Sequence, residues 1–339
     1  MPAFRLSQTF TSTALITTAA LGFAAFTTLA TADKAKAADQ VIVGLVTKTE
    51  VNPYFVKLRQ AAEAEAKKKG LKLIARFGKF DGDNEGQVAA IEDLISAGAK
   101  GILVTPNNST GMLGIIKKAR DAGVLVIALD TATDPADAVD ATYATDNFEA
   151  GVKQGAYAKA AMGDKKPILA MLDGTPGGTV DTMRHNGYLQ GFGVKEGDPV
   201  IVGSAITNGA QDKGQTGMEN LLSKNGDINV VYTINEPAAA GGYAALKSFG
   251  KAKSVMLTSI DGGCEGVKNV KSGKIAGTVM QFPYKMAVAG VDAVAEYAKS
   301  GKKPTGFINT GSELITDKPM KGVDSKDTAW GLKNCWGGE

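Results

Sequence analysis

The chain has 339 residues, enough for two domains of ordinary size. It is 44% hydrophobic and 22% charged, a composition that supports packed cores and excludes a largely disordered protein. Its 38 basic and 35 acidic residues leave a net charge of +3 without a long Lys/Arg tract, so nothing indicates a nucleic-acid partner.

The first 37 residues have the pattern of an export signal. Arg5 supplies a positive start, residues 14–30 form an apolar stretch of small side chains, and Ala35-Lys36-Ala37 offers a cleavage site. A membrane anchor is the alternative, but the stretch is short and weakly hydrophobic for a span. We therefore expect an exported chain that begins near residue 38.

The mature chain begins with a buried strand and a capped helix. Residues 41–46 are an apolar, β-branched run. Asn52-Pro53 is typical of an N-cap and first helical residue, because proline needs no N–H partner there. Four side chains follow this strand at the edge where open α/β sheets bind ligands: Lys48, Asn52, Tyr54 and Phe55.

After Gly70 the pattern alternates strands and helices, which is typical of βαβ units and parallel sheets. The predicted strands are 71–77, 101–105, 124–129, 167–172, 200–206, 229–234, 254–260 and 275–281, with short strand-like pieces at 307–309 and 314–315. The predicted helices are 53–69, 87–97, 110–122, 149–162, 180–192, 211–224, 237–249, 265–271 and 284–300. The polar joint 131–139 is the first candidate for a crossing between domains. Two similar sets of units predict two α/β lobes with a site between them.

Motifs of catalysis and metal binding are absent from the sequence. A single histidine, His185, excludes His-cluster metal sites and most His-dependent nucleophilic schemes. No nucleophile elbow, Walker A loop or dinucleotide fingerprint occurs. Residues 81–92 have the spacing of a calcium loop, but a strand precedes them and Glu92 falls within a predicted helix. We expect a solvated turn that caps this helix and no metal site.

Polar side chains recur at equivalent places near the ends of the predicted strands. The set comprises Lys48, Asn52, Asp130, Arg184, Asn235, Asp261 and Gln281. Each residue alone is equally well explained as a cap or a turn. Together they suit a sugar, whose hydroxyls donate and accept hydrogen bonds and whose C–H faces stack on rings such as Tyr54 and Phe55.

Short motifs across almost the whole mature chain resemble one known family. The motifs are Lys48-Thr49, Asn52-Pro53-Tyr54-Phe55, Val126-Ile127-Ala128-Leu129-Asp130, Ala144-Thr145-Asp146-Asn147, Asn235-Glu236-Pro237, Ile260-Asp261-Gly262-Gly263 and Gln281. They are similar to those of ribose-type periplasmic sugar-binding proteins of ABC importers. Within that family the chain resembles rhizobial fructose-binding proteins most, in Ile206-Thr207-Asn208-Gly209, residues 234–241, Asp261-Gly262-Gly263-Cys264 and the Cys335-Trp336-Gly337 ending.

The resemblance implies a periplasmic binding protein type I fold, with two Rossmann-like lobes of parallel sheet flanked by helices and a hinge of three crossings. The implied lobes are 38–143 with 283–311, and 144–282 with 312–339. The implied ligand residues are Lys48, Asn52, Tyr54, Phe55, Asp130, Arg184, Asn235, Asp261 and Gln281. The resemblance also implies a periplasmic monomer that needs no cofactor, binds one monosaccharide and docks on a permease in the inner membrane.

Two departures from ribose binders affect the expected sugar. Thr131 stands where they carry arginine, and no aromatic residue lies near Asn208-Gly209-Ala210. Gly209 would leave open space there, so a hexose is expected, with fructose ahead of ribose.

The two cysteines, Cys264 and Cys335, predict a disulfide in an exported protein, with two buried thiols as the alternative.

Besides transport, the sequence leaves three other functions open. A sugar-responsive regulator of the same fold would need an N-terminal DNA-binding segment where the export signal stands. A sugar-active enzyme would use Asp130 and Asp261 as paired carboxylates. Delivery of the sugar to a chemoreceptor is compatible with transport.

Overall fold

The computed structural model describes residues 40–337, so the predicted export signal lies outside the described residues. The strands are β1 (Ile42–Thr47), β2 (Lys72–Phe77), β3 (Gly101–Val104), β4 (Leu125–Leu129), β5 (Ala141–Ala144), β6 (Leu169–Asp173), β7 (Ile201–Ile206), β8 (Val230–Thr233), β9 (Met256–Asp261), β10 (Gly277–Gln281), β11 (Phe307–Asn309) and β12 (Ser312–Ile315). The helices are α1 (Pro53–Lys68), α2 (Asn84–Ser96), α3 (Leu113–Asp121), α4 (Asn147–Met162), α5 (Thr179–Phe192), α6 (Gln211–Lys224), α7 (Glu236–Ser248), α8 (Cys264–Lys271), α9 (Pro283–Ser300) and α10 (Thr328–Asn334). In this part of the chain no helix has the length and apolarity of a membrane span.

Two six-stranded sheets confirm the predicted α/β fold of two lobes. The first sheet has the order β11-β5-β4-β3-β1-β2, and its strands are all parallel. The second has the order β12-β10-β9-β8-β6-β7, in which only β12 is antiparallel to its neighbour. We call each sheet with its helices the first lobe and the second lobe. The chain passes between them three times: after β5, after β10 and after β11.

The position of the first crossing differs from the prediction. The joint 131–139 stays within the first lobe, because β5 follows it and pairs with β4. This strand, Ala-Thr-Tyr-Ala, is only four residues long and carries little of the β-branched signal of its neighbours. The helix α10, which follows β12, was also not predicted from the sequence.

The central strands of each sheet are buried on both faces, as is usual for parallel sheets. In the first lobe α1 and α9 cover one face and α2 and α3 the other. In the second lobe α4 and α5 cover one face and α6 and α7 the other. Since the helices cover the faces of the sheets and not the carboxyl ends of the strands, polar side chains can lie at these ends.

Helices α4 and α5 pack unusually closely through glycines. A Cβ at Gly151 would overlap the carbonyl oxygen of Arg184, and one at Gly155 would overlap that of Tyr188. Glycines of α5 meet the backbone of α4 in the same way. The backbone that carries Arg184 is thus fixed directly against α4.

A disulfide joins Cys264 to Cys335 and confirms that prediction. It fastens the start of α8 to the segment after α10, with the two Cα atoms 4.9 Å apart. The next residue, Trp336, accepts a hydrogen bond from the Cys264 N–H at 2.8 Å through its carbonyl oxygen. Its indole Nε1 donates to the carbonyl oxygen of Gln281 at 3.0 Å.

Candidate functional site

One small cavity between the lobes collects every side chain that the sequence singled out as a ligand contact. The cavity has a volume of about 30 Å³. The first lobe contributes Lys48, Asn52, Tyr54, Phe55 and Asp130, and the second contributes Arg184, Asn235, Asp261 and Gln281. The strand ends of the two sheets thus converge on one place.

Two asparagines both cap a helix and line the cavity. The Oδ1 atom of Asn52 accepts a hydrogen bond from the Tyr54 N–H at 3.0 Å, and Pro53 follows as the first residue of α1. In the second lobe, Asn235 Oδ1 accepts from the Ala238 N–H at 3.0 Å and caps α7. The cap interpretation and the cavity interpretation therefore both hold, because a cap at a strand–helix joint lies at the sheet edge that forms the site.

Two aspartates at the carboxyl ends of β4 and β9 have an unusual backbone conformation. Asp130 has φ 64° and Asp261 has φ 146°, regions that residues with a side chain seldom adopt. Both are buried. Such conformations persist where the surroundings hold them, and here each one turns a carboxylate toward the cavity.

Arg184 lies at the centre of the second-lobe contacts. Its Nε donates to Asn147 Oδ1 at 2.8 Å, and its Nη1 donates to the carbonyl oxygen of Ile234 at 3.0 Å. The same Nη1 is 3.9 Å from Asp261 Oδ1. Burial raises the pKa of Asp261 above its ordinary value, while the Arg184 charge acts in the opposite direction.

The aromatic pair of the first lobe is held by packing. The rings of Tyr54 and Phe55 meet edge to face with centroids 5.4 Å apart. On its other side Tyr54 meets Trp336, which follows the disulfide, at 5.6 Å. The Tyr54 hydroxyl donates to Met286 Sδ at 3.3 Å, and burial raises its pKa well above the usual range. Tyr54 therefore belongs to the first-lobe core while lining the cavity.

Two acidic residues of the cavity were not predicted. Asp81 Oδ1 lies 3.8 Å from Lys48 Nζ and accepts a hydrogen bond at 2.9 Å from the hydroxyl of Thr175, across the lobes. Asp181, at the start of α5, accepts from the Thr175 N–H at 2.9 Å, and burial raises its pKa to about 6. Burial lowers the pKa of Lys48, but the charges of Asp81, Asp181 and Asp130 outweigh it, so the net shift is upward. The spacing of Asp181 to Arg184, three residues on one helix, could have indicated a shared face.

The segment with calcium-like spacing forms a helix cap. Asp83 Oδ1 accepts from the Gly86 N–H at 3.0 Å and Asp83 Oδ2 from the Lys79 N–H at 2.9 Å, and α2 begins at Asn84. Between residues 40 and 337, no cluster of three or more His, Cys, Asp or Glu is placed to hold a metal ion. Asp81 departs from the expectation of a solvated turn, because it faces the cavity.

The surroundings of Gly209 are more crowded than the sequence predicted. It lines the cavity with φ 64°, but the space beside it is taken by Asn235, whose Nδ2 would lie 2.7 Å from a Cβ there. The same amide donates to the Gly209 carbonyl oxygen at 3.1 Å. The open space expected at Gly209 is therefore partly occupied by Asn235.

Residues 43–303 match the family model of a periplasmic binding protein domain. The chain belongs to the periplasmic binding protein family. The ribose import binding protein of Bacillus subtilis is 30% identical over 276 residues, which cover 81% of this chain and 87% of that protein. The D-allose-binding periplasmic protein of Escherichia coli is 28% identical over 264 residues, covering 76% and 85% of the two chains.

Solved structures agree with this placement. A periplasmic solute-binding protein of an ABC transporter from Actinobacillus succinogenes, with bound D-allose, superposes with a TM-score of 0.72 at 27% identity, covering 82% of this chain and 98% of that one. A galactofuranose-binding protein superposes with a TM-score of 0.76 at 24% identity and shows the same fold.

The two lobes of this periplasmic binding protein are in contact beside the cavity. The Ser109 N–H donates to the carbonyl oxygen of Gly177 at 3.0 Å, and the Thr179 hydroxyl to that of Ala132 at 2.9 Å. A wider cleft of about 620 Å³ continues outward from the cavity. Because a space of about 30 Å³ has room for water but not for a molecule of several carbon atoms, a larger ligand enters only if these contacts open.

Proposed function

We propose that this protein is the substrate-binding protein of a sugar ABC importer. In the periplasm it takes a monosaccharide between its lobes and hands it to the permease in the inner membrane. The observation that carries the proposal is the convergence of polar side chains from both lobes on one cavity with an aromatic wall. Relatives named for ribose import and D-allose binding support the same class of ligand.

The cavity offers the hydrogen-bonding inventory that a sugar needs. Lys48 and Arg184 donate, the carboxylates of Asp130 and Asp261 accept, and amides such as Gln281 do both. Bidentate groups suit neighbouring hydroxyls, and Tyr54 and Phe55 provide rings for the C–H faces.

Binding without turnover is the activity that we propose. The carboxylates that an enzyme would use, Asp130 and Asp261, already receive hydrogen bonds from the Thr131 hydroxyl at 2.9 Å and from Gln281 Nε2 at 2.9 Å. Delivery to a chemoreceptor would use the same closed form and remains compatible with transport.

Among monosaccharides we propose D-fructose, with ribose weaker. Thr131 supplies a short hydroxyl beside Asp130 where ribose binders carry an arginine, which leaves room for a hexose. A site built to hydrogen-bond an additional hydroxyl discriminates against a ligand that lacks it. The resemblance of the sequence to fructose binders adds the name of the sugar.

Isothermal calorimetry on protein purified from the periplasm tests both levels of the proposal. The panel contains fructose, ribose, allose, mannose, glucose and galactose, with thermal melting of each mixture in parallel. We expect heat and a raised melting temperature with fructose first. Tight ribose binding with no heat from fructose would overturn the choice of sugar. If no sugar releases heat or raises the melting temperature, the transport proposal itself is wrong.

A further inference from the structure

The side chain of Glu236 lies beneath the turn that carries Asp261. Its Oε1 accepts hydrogen bonds from the Gly262 N–H at 2.9 Å and from the Thr278 hydroxyl at 2.7 Å. Its Oε2 accepts from the Gly263 N–H at 3.1 Å. One carboxylate therefore binds two consecutive N–H groups of the turn and a hydroxyl of β10.

These bonds hold a backbone that would otherwise be unfavourable. Asp261 has φ 146° and Gly262 has φ 74°. A non-glycine residue in such a conformation is strained and needs surroundings that fix it. The Met280 side chain closes the turn from the other side, where a Cβ at Gly262 would overlap it. The orientation of the Asp261 side chain thus depends on the hydrogen bonds that the Glu236 carboxylate accepts from the turn.

The same residue also contacts the Asp261 carboxylate. The backbone N–H of Glu236, in the first turn of α7, donates to Asp261 Oδ2 at 3.3 Å, and Gln281 Nε2 donates to Asp261 Oδ1 at 2.9 Å. The positive end of α7 favours negative charge at this point. Burial raises the pKa of Glu236, and the charge of Asp261 raises it further.

On the side of α8 there is little free space around Glu236. A Cβ at Gly266 would overlap its carboxylate, so the glycine is needed for the close approach of α8. Three hydrogen-bond donors distinguish this carboxylate from a solvated one. Glu236 lines the wider cleft but not the cavity itself.

We propose that Glu236 is a positioning residue for the sugar: it acts through Asp261, whose turn and carboxylate it holds in the binding geometry. The inference rests on the proposed function, since it assigns a role within the same site. Asn235-Glu236 follows β8 in the sequence, and only the asparagine of this pair faces the ligand cavity.

The decisive variant is Glu236→Gln, which keeps the shape but places an NH₂ group against an N–H donor of the turn. We expect sugar binding weaker by about ten- to hundredfold, the loss of one or two charge-assisted bonds. Glu296→Gln, at an exposed position of α9, is the matched control and should bind like the wild type. Thr278→Val removes only the hydroxyl donor and should weaken binding by roughly three- to tenfold.

A pH profile separates positioning from mere support of the fold. Asp261 must be ionised to accept sugar hydroxyls, so affinity falls as pH drops through its pKa. The charged groups that face it are Arg184 from α5, Asp130 from the end of β4 and Glu236 from α7. Burial and the Asp261 charge raise the pKa of Glu236 above that of Asp261, so Glu236 is the first of the two to take up a proton as pH falls. Glu236→Gln lacks this step, and the acid limb of its affinity profile should begin at lower pH.

Calorimetry of the four proteins from pH 4 to 8, with thermal melting of each, completes the test. The inference is overturned if the wild type binds sugar and Glu236→Gln binds it within threefold with an unmoved acid limb. If Glu236→Gln does not fold, unchanged binding by Thr278→Val overturns it instead. A wild type that binds no sugar refutes the proposed function, and this outcome is recognised before any variant is compared.

Discussion

Arg184 Nη1 lies 3.9 Å from Asp261 Oδ1, although the first residue comes from the middle of α5 and the second from the end of β9. Both side chains are buried, with 4% and 5% of their surfaces exposed. Because little bulk water screens them, the two opposite charges interact more strongly than they would at the protein surface. The pair is therefore the most sensitive point of the proposed site.

Asp261→Ala should nearly abolish sugar binding. The substitution removes a charged acceptor and leaves sugar hydroxyls unpaired in a closed cavity, at roughly 1.5–3 kcal/mol per bond. Two such bonds correspond to a loss on the order of a hundredfold or more. Calorimetry checks this, with Asp227→Ala at an exposed position of the same lobe as control. Equal titration curves for the three proteins would contradict the assignment of Asp261 to the site.

Arg184→Lys should bind sugar almost as poorly as Arg184→Ala. The guanidinium donates in two directions, to Asn147 and to Ile234, and a single ammonium group cannot reproduce this fork. We expect both variants to lose on the order of a hundredfold in affinity. Recovery of wild-type affinity by the lysine variant would show that only the charge matters.

Replacing both cysteines with serine should lower the melting temperature without changing the fold. The disulfide closes a loop with a sequence separation of 71, which corresponds to about 4 kcal/mol in the chain-entropy model. Denaturant unfolding of the wild type and of the double variant measures the difference. Intact mass after alkylation, with and without reductant, provides the control: two freely alkylated thiols in periplasmic material would contradict the bridge.

The melting temperature should fall as pH rises toward 10, and His185 should cause part of this fall. Its hydrogen bond to Asp173 at 2.7 Å, with a second to Glu196, raises its pKa to about 9. Because protonated His185 is favoured in the folded state, its contribution to stability is complete below the unfolded pKa of about 6.5. The contribution is lost as pH rises through the folded pKa of about 9. Melting temperatures from pH 6 to 10 check it against His185→Gln. A parallel decline of both proteins with pH would show that this imidazole is not responsible.

Gly155→Ala should destabilise the second lobe, because its Cβ would overlap the carbonyl oxygen of Tyr188. Separation of α4 from α5 should cost about 1–3 kcal/mol and weaken sugar binding through the displacement of Arg184. Gly114→Ala in α3 is the matched control, since a Cβ there meets no atom within 4 Å. The control should be neutral or slightly stabilising. An equal effect of both substitutions would indicate a general property of helical glycines.

The site was largely predictable because its residues are tied to strand ends. Asn52 and Asn235 are recognisable as caps, and Asp130 and Asp261 follow apolar runs, so parallel topology brings them together. Asp81 was not predicted as a site residue, because its segment has calcium-like spacing. Its position at the cavity depends on contacts with Lys48 and with Thr175 of the other lobe. Contacts across lobes leave no periodic signal in the sequence.

The elements that were missed are short and take their stability from tertiary contacts. The strand β5 has four residues and pairs with β4 and β11. The helix α10 has seven residues and is held by its cap at Asp327 and by the disulfide that follows. The proposed role of Glu236 could not be predicted either, since the sequence does not show that its carboxylate accepts hydrogen bonds from Gly262 and Gly263.

The position of Trp336 gives this protein a built-in optical reporter. The indole is attached to the second lobe through Gln281 and the neighbouring disulfide, yet its ring meets Tyr54 of the first lobe. Separation of the lobes would expose a ring that is 4% exposed here. The other tryptophan, Trp330, is partly exposed, so a Trp330→Phe variant isolates the signal. Its emission should shift to the blue as sugar is added, and the shift would follow lobe closure in real time without any attached dye.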